Sequence, residues 1–394
     1  MTKKGMIGAE NAPHTTTKPR RPCNRDEVPF SWHVSCGMPV YAALAGVRFD
    51  RIFRDFDAIV EAFTVGEPRA RERFGSDVRY DGPTWAGISY GHANGLGAQL
   101  TFPEDSEVGH TPIYRSLSEG VAALQQEVDW ANAGLMPFYL DLWEQLKRAF
   151  PDRHIAFGGF GAEGPITTAW ELRGHGFFLD LYDNPELCKV FLRLVTDSIV
   201  DYNTFVRSVN GQPAFVETGI GLCDDVSAML HPDPSGLSPS GRSLWPDMVL
   251  PFQEQFFRTQ TSGRRHAHIE DLTPDHLPYL DDLGLDRFDP SVSPGLKASD
   301  LRDRCHVPFL WRLNSMQVRD FSRDQIRCYV FEGVADGASG VFCVIARTMI
   351  TSEDVTKVHT FIDAAKQVEQ LLADGCPRHR LCEHLTTKYT KYTK

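Results

Sequence analysis

His266 and His268 lie one alanine apart in Arg264-Arg265-His-Ala-His-Ile-Glu-Asp271. On a strand, side chains alternate in direction, so both imidazoles leave the same face. Rings placed that way can converge on one metal ion, with a carboxylate on the other ring nitrogen fixing the tautomer. A plainer reading has the two rings bonded to Asp224, Asp225 or Glu270, or touching an anionic substrate. Glu217 is a candidate third ligand, because an inward glutamate on an otherwise apolar strand needs a partner; a structural salt bridge serves equally. Asp224 and Asp225 follow a strand end, where one carboxylate can face a pocket while its neighbour caps the turn. Both are catalytic candidates, Asp225 ahead of Asp224. Asp289 precedes a proline and can orient a histidine from a neighbouring strand or act as general acid or base.

Cys343 sits in an apolar strand and is either a further metal ligand or a small core residue. Arg347, just beyond it, suits a substrate carboxylate or phosphate, or a surface ion pair. His92, in a Gly-rich segment, and Phe160, in Phe157-Gly-Gly-Phe-Gly-Ala162, are candidate substrate contacts. The second segment lacks the lysine and spacing of a P-loop. The Pro- and Gly-rich run 231–242 follows a strand end, as loops that cover a site do.

Elements able to position these residues alternate along the second half of the chain. Strands are expected at 154–157, at 213–222, through His266-Ala-His268, and at 285–289, 307–313 and 340–346. Helices are expected at 165–173, 185–208, 246–261, 273–283, 298–304, 322–335 and 352–372. Short, evenly spaced strands with helices between them predict a parallel sheet. No G-x-G-x-x-G turn occurs, which favours a closed (β/α)8 TIM barrel over an open dinucleotide-binding sheet. Ahead of it, Phe49, Ile52, Phe53, Phe56, Ile59, Val60 and Phe63 recur at helical spacing. Two more helices are expected at 117–130 and 137–150, so the barrel carries an N-terminal helical extension. In such a barrel the chemistry lies at the C-terminal strand ends. Three polar clusters fall there: Glu217 with Asp224 and Asp225, the two histidines, and Asp286 with Asp289.

The chain has 394 residues, 42% hydrophobic and 24% charged, the make-up of a globular protein. Its net charge of −11, with no basic stripe, argues against nucleic acid as a partner. No apolar run approaches the ~20 residues of a membrane span. Nine cysteines, none in a C-x-x-C pair, and the lack of an apolar leader predict reduced thiols in the cytoplasm. The expected organisation is a flexible arm at 1–27, a barrel domain at 28–374 and a flexible tail at 375–394. Whether the chain pairs as a homodimer is left open.

Gly164-Pro-Ile-Thr-Thr-Ala-Trp-Glu-Leu-Arg-Gly174, Leu181-Tyr-Asp-Asn-Pro-Glu-Leu187, Cys223-Asp-Asp-Val-Ser-Ala-Met229 and Leu244-Trp-Pro-Asp-Met-Val-Leu-Pro251 resemble segments of the uroporphyrinogen decarboxylase superfamily. The likeness runs from about residue 28 to 372 and implies the same barrel. True uroporphyrinogen decarboxylases use an arginine-rich N-terminal segment; here Ser35-Cys-Gly-Met-Pro-Val-Tyr41 stands in that region. The other branch, corrinoid- and thiol-dependent methyltransferases, holds zinc with a His-x-Cys and a later cysteine. His266 matches the first ligand, His268 replaces the cysteine, and Cys343 is the nearest later thiol.

The resemblance thus implies a metal-dependent methyltransferase, zinc first among the metals. It would move a methyl group between a small methylated substrate and a corrinoid on a partner protein, or a thiol. No corrinoid-binding Asp-x-His-x-x-Gly segment occurs in the chain itself. The rivals are a metal-free decarboxylase of a uroporphyrinogen-like or other carboxylate substrate, and a non-catalytic ligand-binding barrel.

Overall fold

The computed structural model describes Arg25, residues 28–232 and residues 243–385. Among the described residues nine strands run in chain order: β1 Ser31–Cys36, β2 Val78–Tyr80, β3 Leu100–Thr101, β4 Gly109–His110, β5 Gly219–Cys223, β6 Arg264–His268, β7 Arg287–Asp289, β8 Leu310–Leu313 and β9 Gly340–Ile345. They form a four-stranded sheet β2-β1-β9-β8, a three-stranded sheet β5-β6-β7 and an antiparallel pair β3-β4. Every pairing in the two larger sheets is parallel. A bridge between Phe288 and Phe309 joins β7 to the run entering β8. Ile88 pairs in parallel with Phe160, and the Gly164 N–H donates to the Cys223 carbonyl. The chain is therefore an α/β protein of parallel strands with helices in their crossovers.

Helix boundaries follow local chemistry. Ser322 with Gln325, and Thr351 with Asp354, form reciprocal capping boxes that start the helices Arg323–Ala335 and Ser352–Ala373. Pro185 opens the helix Pro185–Val209, which buries Cys188, Phe191, Leu192, Val195, Ile199 and Tyr202 at spacings of three and four. Two buried clusters result. One lies under β1, β2, β8 and β9, and the other under β5, β6 and β7.

Several expectations change. The opening segment contains strand β1, which carries polar Ser31, His33 and Ser35 on one face and Trp32, Val34 and Cys36 on the other. It thus offers no apolar run. The expected helix through Phe49–Phe63 is broken into Phe49–Phe53, Phe56–Glu61 and Ala62–Gly66. Asp55 makes the second start by accepting from the Ala58 N–H at 3.1 Å. Gly66 lets this stretch meet the helix Met38–Ala45, since a Cβ there would fall 2.0 Å from the Tyr41 carbonyl oxygen. His154–Phe157 forms no strand. The expected strand at 213–222 is confined to Gly219–Cys223, with Glu217 ahead of it.

Both termini also differ from a plain arm and tail. Arg25 donates to the Leu301 carbonyl at 2.9 Å and lies over the Phe309 ring. Residues Arg378–His384 form a turn of helix that buries Leu381. The rest of the arm (bar residue 25), residues 233–242 of the expected covering loop and residues 386–394 lie outside the described residues. Among the described residues all cysteines are free thiols, and no helix is long and apolar enough to cross a membrane.

Candidate functional site

Register places the polar residues in layers. Cys223, His268 and Asp289 are partners across β5, β6 and β7, and Gly221, His266 and Arg287 form the layer below. Between these layers Leu222, Ala267 and Phe288 point the other way and are buried against helices. Gly221 keeps the space beside His266 open: nothing lies within 4 Å of where its Cβ would be.

His268 is the hub. Its Nδ1 is 2.8 Å from Asp289 Oδ2, and its Nε2 is 3.6 Å from Glu270 Oε1 and 4.0 Å from Asp225 Oδ1. Asp225 is itself fixed, accepting from the Glu270 N–H at 2.8 Å and from the Cys223 thiol at 3.8 Å. Glu270 accepts from Ser291 Oγ, which in turn accepts from Arg312 Nη1, both at 2.5 Å. Ser291 has φ +41°, an uncommon conformation for a side chain with Cβ, held by its N–H donating to Asp289 Oδ1 at 2.7 Å. One ligand atom each from Cys223, Asp225 and His268 lies within 4.8 Å of the other two.

The electrostatics are those of a cation site. Burial opposes charge on His268, but hydrogen bonds to Asp289 and Glu270, with Asp225 nearby, outweigh it and raise its pKa to about 10. The bond to His268 lowers Glu270 to about 2 against its own burial. Burial raises Asp225 moderately and drives the Cys223 thiol far up, with Glu163 and Asp225 adding repulsion. A protonated histidine thus occupies the centre of three carboxylates when no other cation is bound.

A sulfur, an imidazole nitrogen and a carboxylate oxygen are donors a zinc-like ion accepts together. Asp289 on the far ring nitrogen is the usual support for a ligating histidine. The residues present therefore fit a divalent metal, with Cys223, Asp225 and His268 as holders and Glu270 within reach.

Other candidates lie elsewhere. His266 shares the face of His268 but sits a layer deeper, beside Arg287, and its Nδ1 is buried without a partner. Burial, with Arg287 next, lowers its pKa. Glu217 is exposed at the opposite end of β5, six residues or ~20 Å of strand from Cys223, too far to share an ion with His268. Cys343 pairs in register with Val34 on the helix side of β9, is fully buried, and burial raises its pKa to about 12. Arg347 donates to the Asp105 carbonyl at 2.6 Å and covers the Phe49 ring, which turns it from the cluster. Phe160 is a core residue stacked on Tyr139.

Asp224 is fully buried and structural. Its Oδ1 accepts from the N–H groups of Ile166 and Thr167, at 3.0 and 2.8 Å, at the start of the helix Pro165–Arg173. Its Oδ2 accepts from Gln253. Sequence reasoning passed over Cys223, Ser291 and Arg312 as site residues and named Glu270 only as a bonding partner of the histidines. Two had a signal: His266-x-His268-x-Glu270 continues the alternation of β6 past its end, and Cys223 is two residues from Asp225.

His92 is a core residue between Trp130 and Tyr202, with Nε2 2.9 Å from Ser198 Oγ. Burial lowers its pKa to about 3 from 6.5. The folded state then binds fewer protons than the unfolded, so this contribution is intact above pH 6.5 and is lost as pH falls toward 3. By pH 5 the loss is about 2 kcal/mol. Urea unfolding near neutral pH and near pH 5 checks this: the stability of His92→Gln relative to wild type is expected to rise by about 2 kcal/mol from neutral pH to pH 5, and a constant offset refutes it.

No family model and no curated relative matches the chain. Its fold is similar to that of a methyltransferase from Methanosarcina mazei, with a TM-score of 0.57 at 16% sequence identity. The alignment covers 87% of this chain and 94% of that one. At that identity the likeness concerns the fold.

Proposed function

We propose that the chain is a closed (β/α)8-barrel methyltransferase of the uroporphyrinogen decarboxylase type. It moves a methyl group between a small methylated substrate and a corrinoid on a partner protein, or a thiol. The observation that carries this reading is the Cys223–Asp225–His268 cluster, backed by Asp289, at the C-terminal ends of adjacent parallel strands. The order of strands and the fold shared with a methyltransferase support it.

A divalent ion held there supplies Lewis acidity toward the substrate heteroatom or thiol. Asp289 keeps the His268 ring in one orientation. Glu270, tied to Ser291 and Arg312, would stand beside the ion as a further oxygen donor. Leu222, Ala267 and Phe288 close the strands from behind.

The test is transfer from free methylcobalamin to a small thiol, followed by the absorbance of the corrinoid. The thiolate sulfur gains the methyl group, its proton leaves, and cobalt keeps the bonding electron pair. Wild type is expected to accelerate the reaction and His268→Ala to lose ~100-fold or more, the scale of removing a metal ligand. Equal rates in both would reject the reading.

A metal-free decarboxylase of a carboxylate substrate is the second reading, favoured by one observation. Arg79 and Arg287 occupy inward positions on β2 and β7, and neither side chain makes a hydrogen bond or ion pair among the described residues. Full activity on a carboxylate after complete metal removal would select it.

A further inference from the structure

Outside the strands, between the loops that follow β7 and β8, lies a cavity of about 520 Å³. Drug-sized ligands occupy cavities of ~300–1,000 Å³. Trp311 leaves β8 on the side opposite Arg312 and stacks on Tyr329, with centroids 5.7 Å apart and planes at 25°. Phe321 meets Tyr329 edge-on at 5.9 Å, and Leu296 and Met316 complete the apolar wall. Gly333 makes room for the indole, since a Cβ there would fall 2.6 Å from Trp311 Cδ1. Met316, 47% exposed, forms the rim.

The lining carries three carboxylates, Asp320, Glu332 and Asp336, against one lysine, Lys297. Arg319 pairs with Asp320 and Arg302 with Asp336. Glu332 has neither an ion pair nor a side-chain hydrogen bond among the described residues. Burial, with Asp336 next, raises its carboxyl. An aromatic wall and an uncompensated carboxylate lining one cavity favour a cation with an apolar body; a neutral guest would desolvate Glu332 and return nothing. Ser291 lines the same cavity and donates to Glu270.

We propose that this cavity is a second ligand site, separate from the Cys223–His268 cluster, for a small organic cation of the quaternary ammonium class. The claim is independent of the methyl-transfer reading, and its test is a binding measurement on the full chain.

The probe is choline, compared by calorimetry with its neutral carbon isostere, dimethylbutanol. Choline is expected to bind at one site at least about tenfold more tightly than the isostere, a difference of ~1.4 kcal/mol. Glu332→Gln is expected to remove that preference, and Lys297→Ala to strengthen choline binding. His268→Ala is expected to leave it unchanged. Equal affinity for the two probes, indifference to Glu332→Gln, or no saturable binding would overturn the proposal. So would loss of binding in His268→Ala, which would place the cation in the metal cluster instead.

Discussion

Titrated with zinc, the purified chain is expected to take up about one ion, and His268→Ala is expected to abolish the uptake. The expectation rests on His268, whose Nδ1 is held by Asp289 at 2.8 Å while Nε2 faces Asp225 and Glu270. Asp289→Asn keeps the ligands and loses the anchor, so affinity is expected to fall ~10–100-fold. Cys223→Ser replaces a soft donor by a hard one, with a loss at least as large. Binding must displace protons from His268, held high by its carboxylates, and from the Cys223 thiol, held high by burial. Affinity therefore rises with pH, and protons appear in the calorimeter as buffer-dependent heat. Cys343→Ser is the control: zinc binding stays, while a hydroxyl placed in a fully buried apolar site costs ~1–3 kcal/mol of stability. Elemental analysis with equally negligible metal in wild type and His268→Ala would remove the metal from the site.

The second large effect is on folding. Asp224→Ala is expected to destabilise the protein by ~3–5 kcal/mol, read from urea unfolding, because two buried N–H groups lose their acceptor at once. Ile166 and Thr167 start the helix Pro165–Arg173, and nothing else is bonded to their N–H groups there. Asp224→Asn is expected to cost far less. The Oδ1 bonds survive, and Gln253, whose Oε1 is buried without a partner, can turn its amide to accept from the new Nδ2. Burial raises the Asp224 carboxyl to about 7 from 3.8, against the bonds from Gln253 and Thr167. A carboxyl with a higher pKa folded than unfolded binds its proton more tightly when folded. Stability from this group is thus full below pH 3.8 and declines as pH rises to about 7. Asp224→Asn should flatten that window. Equal stability of the alanine and asparagine variants would show that the helix start does not depend on this acceptor.

The same acidic dipeptide illustrates how far residue type reaches. Asp224 and Asp225 differ by one position, and sequence reasoning favoured the second only narrowly. Phase on the strand end decides: Asp224 turns into the helix layer and Asp225 into the mouth. Cys223 and Cys343 make the same point in reverse. Both are thiols on parallel strands, but β9 turns Cys343 toward its helices and β5 turns Cys223 toward His268. Glu217 looked like an inward strand residue because the apolar run before β5 was longer than the strand that formed.

What residue order alone determined is local. Capping pairs and proline starts set the last helices within a residue or two, as at Arg323–Ala335 and Ser352–Ala373, because caps act across a single turn. Alternation put His266 and His268 on one face, since the period of two is a property of the strand itself. The tertiary structure decided which strands lie side by side, in what register, and hence which carboxylate meets which imidazole. Those contacts join residues 21 to 45 positions apart, as in His268 with Asp289 and Glu270 with Asp225. No local spacing encodes them, because they depend on the packing of every helix between.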